Sequence, residues 1–378
     1  MGNVQRHIRK GAPALGALLI VALVPLLVTP ASAQYIQKNL VSDIPKLAER
    51  TDPHLVNSWG IAFSPTGPFC IADNGTGVAT FYYGDGRPFP NATSPSVVTI
   101  PAPAGSPAGT IAAPTGVVFN DSPSFVVGEG SNSGPSLFIF ATEDGTISGW
   151  NPEVDATHAI LAVDNSANAV DRFRLGAVYK GLAFGEDGSG TFIYASNFRD
   201  GVVEMYDASF HLIKSFTDPS IRPDAKKPGF APFGIRNIDG LLYVTFALQN
   251  AARHDDVAGP GNGFIDVFEL NGRFVRRFAT GGMLNSPWGL ALAPNFGPLS
   301  NHLLVGNFGD GRINAFDPDT AVFAGPLEDQ HGNPITISGL WGVTFGNGGL
   351  AGQTSELFFT AGINDESDGL FGRITAGD

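Results

Sequence analysis

The sequence predicts an all-β protein, specifically a six-bladed β-propeller with four-stranded blades. The main observation is a strand-rich unit that recurs six times, each copy opening on a glycine within a short apolar run. Composition agrees, because 49 glycines and 28 prolines interrupt short apolar segments throughout the chain. Self-similarity at a period of about 50 residues is typical of propellers and other repeat folds. The opening glycines are Gly60, Gly116, Gly181, Gly234, Gly289 and Gly342.

Each unit offers four strands, three within the unit and a fourth before the next unit begins. In the first unit these are residues 59–63, 69–74, 77–81 and 97–100. A four-stranded sheet cannot bury both of its faces alone, so such units pack around a common axis. The sixth unit ends after its third strand, and we expect residues 35–41 to supply the missing one. That pairing would close the ring and leave no open edge.

The first 33 residues predict a secretory signal peptide. A basic start (Arg6, Arg9 and Lys10) precedes an apolar run over residues 14–28, and small residues at 31–33 suit signal peptidase. The alternative is an uncleaved anchor, but the apolar run is short for a membrane span. We therefore expect one propeller domain over residues 34–378, secreted to the periplasm or beyond and free of the membrane after cleavage.

The charge and the single cysteine narrow the classes of partner and of chemistry. The formal net charge is −13 at pH 7, which argues against nucleic acid and against anionic membranes as partners. Cys70 is the only cysteine, so the chain forms no internal disulfide. Its place in an apolar strand predicts a buried side chain rather than a nucleophile.

The motifs of the repeat resemble a known type of propeller. The order of glycine, alternating strand, Asp-Asn-Gly and a strand ending in Phe-Asp resembles the NHL-repeat type of six-bladed propeller. Four segments, residues 39–43, 51–57, 254–263 and 368–374, are similar to the TIGR03118-type family of secreted bacterial proteins. The resemblance covers essentially the whole chain after the signal peptide. It implies the propeller fold and secretion, and it brings no reaction with it.

Propeller geometry predicts a ligand site at one mouth of the central channel. Residues just before the first strands and just after the second strands share this face, where closed β folds usually bind ligands. Aromatic rings there would stack on a small molecule or an extracellular polymer, and amides would hydrogen-bond to it. Alternatively, the rings wedge neighbouring blades together. The predicted ligand-binding residues are Trp59, Phe233, Trp288, Trp341, Asn74, Asn197 and Asn307.

The same ring of residues also suits a divalent cation. Calcium takes carboxylate and amide oxygens, so Ca²⁺ is the candidate ion. Six-bladed lactonases and esterases that depend on calcium are an analogy of fold only. Alternatively, these Asn and Asp side chains cap their own turns. Lys180, the only base in the ring, is expected to be solvated or to pair with Glu143. The candidate metal ligands are Asp73, Glu143, Asn197 and Asn307.

One connection is much longer than its counterparts in the other units, and covers residues 249–263. Long loops within a compact domain are often functional. This one carries His254, Asp255 and Asp256, and the segment before the first unit places His54 on the same predicted face. These four residues are candidates for general acid–base chemistry, and the histidines for sharing a metal. The alternative is a lid whose polar residues cap its own turns.

Three functions remain open from the sequence. The first is a secreted binding protein or scaffold. The second is a divalent-cation-dependent hydrolase (lactonase-like or esterase-like) or lyase, in which His54 or His254 moves protons. The third is a structural protein that assembles through its blade edges. The chain has no Gly-x-Ser-x-Gly elbow, no His-Glu-x-x-His helix and no phosphate loop, so no motif names a reaction.

Overall fold

A computed structural model describes residues 1–3, 34–167, 175–221 and 228–377. Apart from its first three residues, the predicted signal peptide lies outside the described part of the chain. The strands all belong to one unit, Ala33–Asp378. Within the described ranges, no helix has the length and apolar character needed to cross a bilayer.

Short strands make up almost all of the regular structure. The strands of the described chain up to residue 221 are β1 (Tyr35–Ser42), β2 (Arg50–Thr51), β3 (Ser58–Phe63), β4 (Phe69–Asp73), β5 (Val78–Tyr82), β6 (Pro90–Asn91), β7 (Ser94–Pro95), β8 (Val97–Thr99), β9 (Pro114–Phe119), β10 (Val126–Glu129), β11 (Asn132–Pro135), β12 (Phe138–Thr142), β13 (Thr146–Trp150), β14 (Ile160–Asp164), β15 (Tyr179–Asp187), β16 (Gly190–Asn197), β17 (Val202–Tyr206) and β18 (Leu212–Phe216). From residue 228 they are β19 (Phe230–Ile238), β20 (Leu241–Leu248), β21 (Phe264–Glu269), β22 (Phe274–Thr280), β23 (Pro287–Leu292), β24 (Leu303–Asn307), β25 (Ile313–Phe316), β26 (Phe323–Pro326), β27 (Leu340–Phe345), β28 (Leu357–Gly362) and β29 (Asp368–Ala376). A single helical turn, α1 (Ile363–Glu366), precedes β29.

The strands form the six predicted blades. From the axis outward these are β3-β4-β5-β8, β9-β12-β13-β14, β15 to β18, β19 to β22, β23 to β26, and β27-β28-β29-β1. Neighbours within a blade pair antiparallel. The innermost strands pack in a ring in the order β3, β9, β15, β19, β23 and β27, with β27 returning to β3. The prediction of a six-bladed propeller is therefore confirmed.

The two ends of the propeller unit meet in the last blade. β1 pairs antiparallel with β29, from Tyr35 opposite Ala376 to Ser42 opposite Leu370. The predicted closing strand is thus confirmed, and it extends one residue past Val41. The two-residue strand β2 adds to β1 in parallel and makes this sheet five-stranded.

The long interval between the second and third opening glycines reflects an insertion. A separate hairpin, β10 paired with β11, lies between the first and second strands of the second blade. A smaller hairpin, β6 with β7, interrupts the first blade between its third and fourth strands. Insertions at such connections leave the four blade strands intact, and the repeat therefore remains visible in the sequence.

The repeated glycine is required by the close approach of neighbouring inner strands. A Cβ atom on Gly234 would lie 2.1 Å from the carbonyl oxygen of Trp288 in the next blade. On Gly342 in the sixth blade, it would lie 2.7 Å from the carbonyl oxygen of Trp59 in the first. Real Cβ atoms essentially never approach backbone so closely. The glycine signature is therefore a consequence of ring closure.

Apolar side chains fill the spaces between blades. The cluster that joins the first and second blades includes Cys70, Phe81, Val117 and Phe140. Cys70 is fully buried, and burial raises the pKa of its thiol well above the usual value. The prediction of a packing role for this cysteine is confirmed.

Candidate functional site

An aromatic plug fills the channel where the inner strands begin. We define the plug as Trp59, Phe198, Phe233, Trp288, Phe308 and Trp341. Its centre is the stacked pair Trp59 and Trp341, with ring centroids 3.4 Å apart. The Trp288 ring meets both of them edge-on, at 6.2 and 5.7 Å. The contacts of Trp59 with Trp288 and of Phe233 with Trp341 join blades that are not neighbours in the ring.

The plug bears on the predicted ligand-binding role of Trp59, Phe233, Trp288 and Trp341. Trp59, Phe233 and Trp341 are buried against one another, with at most 1% of their surface exposed. Their faces are therefore covered in this conformation, and packing between blades describes them better than an open platform. Trp288 keeps partial exposure. Their role in binding a ligand stays a prediction.

Lys180 lies directly above the plug and pairs with two carboxylates. Its Nζ atom contacts Oε1 of Glu143 and lies 3.4 Å from Oδ1 of Asp255. The same nitrogen is 5.1 Å from the centre of the Trp59 ring, a favourable cation–π distance. Burial alone would lower the pKa of Lys180, but the adjacent Glu143 raises it above its usual value. The expected pairing with Glu143 is found.

A chain of amide hydrogen bonds connects this ion pair to the plug. Asn74 donates from Nδ2 to Oε2 of Glu143 at 2.9 Å, and its Oδ1 accepts from Nδ2 of Asn57 at 3.2 Å. Oδ1 of Asn57 then accepts from the indole Nε1 atoms of Trp59 and Trp341, at 3.0 and 3.3 Å. Asn74 is thus at the predicted mouth, bonded to a predicted metal ligand.

The long loop contributes the remaining charges of the mouth. Nδ1 of His254 lies 2.7 Å from Oδ1 of Asp255, and Nδ2 of Asn250 donates to the other oxygen of Asp255 at 3.2 Å. The hydrogen bond from His254 lowers the pKa of Asp255 to about 2. Burial instead raises the pKa of the neighbouring Asp256. The loop therefore supplies an ionised carboxylate to Lys180, as well as bonds within its own turn.

Glu366 is a member of the mouth that the sequence analysis missed. Asn364, Asp365 and Glu366 have φ angles of 54°, 53° and 64°, a left-handed turn that costs L-residues about 1–2 kcal/mol each. Burial raises the pKa of Glu366 to about 7, and the charge of Glu143 adds to that effect. Its Oε1 atom is buried and has no hydrogen-bond partner among the described residues. Strained turns of this kind concentrate at functional sites.

Three donor atoms of the mouth are close enough to share a metal ion. One ligand atom each from Glu143, His254 and Asp255 lies within 4.8 Å of the other two. Of the predicted metal ligands, Glu143 belongs to this group. Of the two candidate histidines, His254 belongs to it. His54 instead places Nδ1 3.0 Å from Oδ1 of Asp52.

The predicted metal ligand Asp73 is engaged inside the first blade. Its two oxygens accept hydrogen bonds from the hydroxyls of Ser58 and Thr80, both at 2.7 Å. The side chain is fully buried, and this burial raises its pKa well above the usual value. Both hydrogen bonds join neighbouring strands of one blade. Metal binding by Asp73 stays a prediction.

The amides predicted in the third and fifth blades also bond within their own blades. Asn197 donates from Nδ2 to Glu204 and to the turn residue Asp200. Asn307 donates to Oδ1 of the turn residue Asp310 at 3.1 Å, and also to the carbonyl oxygen of Met283, which precedes its blade, at 2.8 Å. Both side chains are buried, and these contacts are the turn chemistry that the sequence left open as an alternative. Their roles toward a ligand or metal stay predictions.

The fold and the site define a six-bladed β-propeller with a polar cluster above an aromatic plug. The chain belongs to the same family as uncharacterized proteins R648 and L690 of Acanthamoeba polyphaga mimivirus. It is 33% identical to the first over 342 residues, which are 89% of this chain and 78% of that protein. It is 30% identical to the second over 343 residues, covering 89% and 84%. No family model matches the chain.

Comparison with solved structures supports the fold. A streptogramin B lyase has a TM-score of 0.51 and is 12% identical, with 91% of this chain and 98% of that one covered. At this level of identity the likeness shows the propeller architecture alone. The chemistry of the site must therefore be argued from its own residues.

Proposed function

We propose that the protein binds a divalent cation at the polar mouth of its channel and, through it, a small polar ligand. The observation that carries the proposal is the approach of donor atoms from Glu143, His254 and Asp255 to within 4.8 Å. It is supported by the buried Oε1 atom of Glu366, which finds no hydrogen-bond partner in the described part of the chain. One ammonium group, that of Lys180, faces the carboxyl groups of Glu143, Asp255 and Glu366. A bound cation would balance the negative charge of these carboxyl groups that Lys180 alone does not neutralise.

The donor set indicates which ions to test. Carboxylate oxygens serve Ca²⁺, the ion predicted from the sequence, and the imidazole of His254 extends the choice to Mn²⁺ and Zn²⁺. The ligand in this proposal is a small polar molecule or the end group of an extracellular polymer. Buried rings offer it little surface, so recognition rests on the cation and on the half-buried amide of Asn74.

The test is thermal unfolding of the EDTA-treated protein with Ca²⁺, Mn²⁺ or Zn²⁺ added alone. A cation that binds the native state raises its Tm by mass action. We expect Glu143→Gln and Asp255→Asn to reduce that increase, and Glu153→Gln, an exposed carboxylate between the third and fourth strands of its blade, to leave it unchanged. An increase of the same size in all four proteins would show that the cations bind elsewhere. If no cation raises the Tm of the parent protein, the proposal of a cation site is refuted.

A second candidate function is a cation-dependent hydrolase, lactonase-like or esterase-like, or a lyase. Glu366 favours it, because a carboxyl group with a pKa of about 7 can accept or donate a proton at neutral pH. His254 is the second candidate for proton transfer. The test is a screen of lactones and esters with the best cation present. Glu366→Gln should lose turnover even at a cation concentration that saturates its own increase in Tm. Turnover that survives Glu366→Gln would exclude this role.

We also propose secretion and membership of the TIGR03118-type family. The basic start, apolar run and small residues of positions 1–33 support secretion, and the four similar segments support the family. Expression of the full chain in a bacterial host tests secretion. N-terminal sequencing of the exported protein should begin at Gln34, whereas a full-length chain retained in the membrane fraction would contradict cleavage.

A further inference from the structure

A cavity of about 210 Å³ lies in the channel on the other side of the aromatic plug. Trp288 forms the wall of the cavity beside the plug. Phe63, Phe119 and Phe184 form the wall near the far ends of the inner strands. The cavity thus extends toward the face opposite the polar mouth. Between these ends the wall carries apolar side chains, and Arg236, Asn237 and Thr344 are its polar ones. The apolar side chains include Ile61, Val117, Leu182, Ile235, Leu290 and Val343.

The cationic side chain of Arg236 lines this cavity. Arg236 belongs to β19 in the fourth blade, and its Nη2 atom donates to Oγ1 of Thr344 at 3.0 Å. Thr344 belongs to β27 in the sixth blade, and the fifth blade lies between these two in the ring. The guanidinium therefore crosses part of the channel, and its remaining N–H groups adjoin the cavity.

The charge of Arg236 has no counterion in the described part of the chain. Other buried or half-buried bases there do form ion pairs, such as Lys180 with Glu143, Arg277 with Asp218 and Asp266, and Arg373 with Glu356. Burial alone lowers the pKa of Arg236, and no carboxylate acts against it. A guanidinium offers five N–H donors, and the Thr344 hydroxyl takes one of them. Arg236 is half-buried, so its remaining N–H groups can donate to an anion that enters the cavity.

We propose that Arg236 anchors a second binding site, which takes a small carboxylate with a short apolar tail. The carboxylate would accept two parallel hydrogen bonds from the guanidinium, the geometry that arginine offers and lysine does not. The tail would lie against Leu182, Ile235 and Val343. The cavity is smaller than the sites of drug-sized ligands, so the ligand has only a few heavy atoms. It enters from the face opposite the polar mouth and needs no cation.

The probe is propionate, added to the EDTA-treated protein, with sodium chloride at the same ionic strength as the reference. For a Kd of about 1 mM, propionate at about 100 mM should raise Tm by about 3–6 °C relative to chloride. Arg236→Met should abolish this increase. Arg236→Lys should weaken the increase, and Arg87→Gln, an exposed arginine paired with Asp85, should leave it intact.

Several outcomes would overturn the proposal. Equal Tm values in propionate and chloride would exclude recognition of a carboxylate, and an increase that persists in Arg236→Met would place the anion elsewhere. A crystal grown with 3-bromopropionate gives a measurement that does not depend on any variant folding. Its bromine signal must lie inside the channel, within contact of Leu182 or Val343. Because all measurements are made in EDTA, failure here is separate from failure of the cation site.

Discussion

The amide oxygen of Asn57 accepts hydrogen bonds from the indole nitrogens of both Trp59 and Trp341. Trp59 is the second residue of the inner strand of the first blade, and Trp341 is the second residue of that of the last. The ring of blades closes between these two strands. One side chain therefore satisfies two buried donors at the seam of the propeller.

Asn57→Ala should lower the free energy of unfolding by about 2–4 kcal/mol, because two buried indole N–H groups lose their acceptor. The measurement is urea unfolding followed by tryptophan fluorescence. Asn301→Ala is the matched control, since Asn301 has a similar positive φ of 63° but is exposed. It isolates the cost of alanine in a left-handed backbone. Equal losses in the two variants would assign the effect to the backbone.

Gly234→Ala should destabilise the propeller far more than an ordinary substitution in a strand. The new methyl group would lie 2.1 Å from the carbonyl oxygen of Trp288, so the fourth and fifth blades must move apart. We expect a loss of about 3 kcal/mol or more, in the range of overpacked cores. Gly188→Ala is the control, because a Cβ atom there meets nothing within 4 Å. Similar Tm values for both variants would refute the requirement for close approach.

Lys180→Met should destabilise the cation-free protein by about 3–5 kcal/mol, as removal of one partner from a buried pair does. Glu143 and Asp255 would lose their ammonium partner, so the variant should gain more Tm from the cation than the parent gains. Thermal unfolding in EDTA and with the cation measures both effects. Lys214→Met, at an exposed lysine, should show neither effect. A destabilised Lys180→Met protein that the cation does not rescue would count against the cation site.

The pH dependence of stability should contain a term from Asp266. Arg277 contacts both Asp266 and Asp218, and burial, with Asp218 adding to it, raises the pKa of Asp266 to about 7. Between about pH 4 and 7 the folded protein holds a proton that the unfolded chain has released. The free energy of unfolding therefore falls as pH rises through this window, by up to about 1.4 kcal/mol per unit.

Asp266→Asn should flatten that part of the profile, measured as urea unfolding at half-unit steps from pH 4 to 8. Asp239→Asn is the control, since Asp239 is exposed. A profile that is unchanged in Asp266→Asn would mean that other groups account for the slope.

The architecture was largely predictable because its signals are local. Each blade repeats a glycine, an apolar strand and a turn, and these follow from backbone geometry within a few residues. The closing strand was predictable from the missing fourth strand of the sixth unit. The hairpin of β10 and β11 was not, since residues 126–135 show no counterpart in the other units. Nor was β2, whose two residues pair only because β1 offers an edge.

The site was predicted less completely. Glu143, Lys180, His254 and Asp255 meet at the face where the sequence placed them, because strand order fixes which loops share a face. Glu366 was not among the candidates, and it reaches the mouth through a left-handed turn over residues 364–366. The sequence signal that could have pointed to Glu366 was the run of three polar residues, 364–366, before Ser367.

By itself, the sequence determined the number of blades, their strand order and the face on which polar loops gather, since these depend on period and connection length. Only the tertiary structure decided what the side chains do there. It buried Trp59 and Trp341 in a plug, paired Lys180 with two carboxylates and, among the residues that the structure describes, gave Arg236 none. These contacts depend on distances between side chains of different blades. Packing of the side chains sets those distances, and the spacing of the repeats does not encode them.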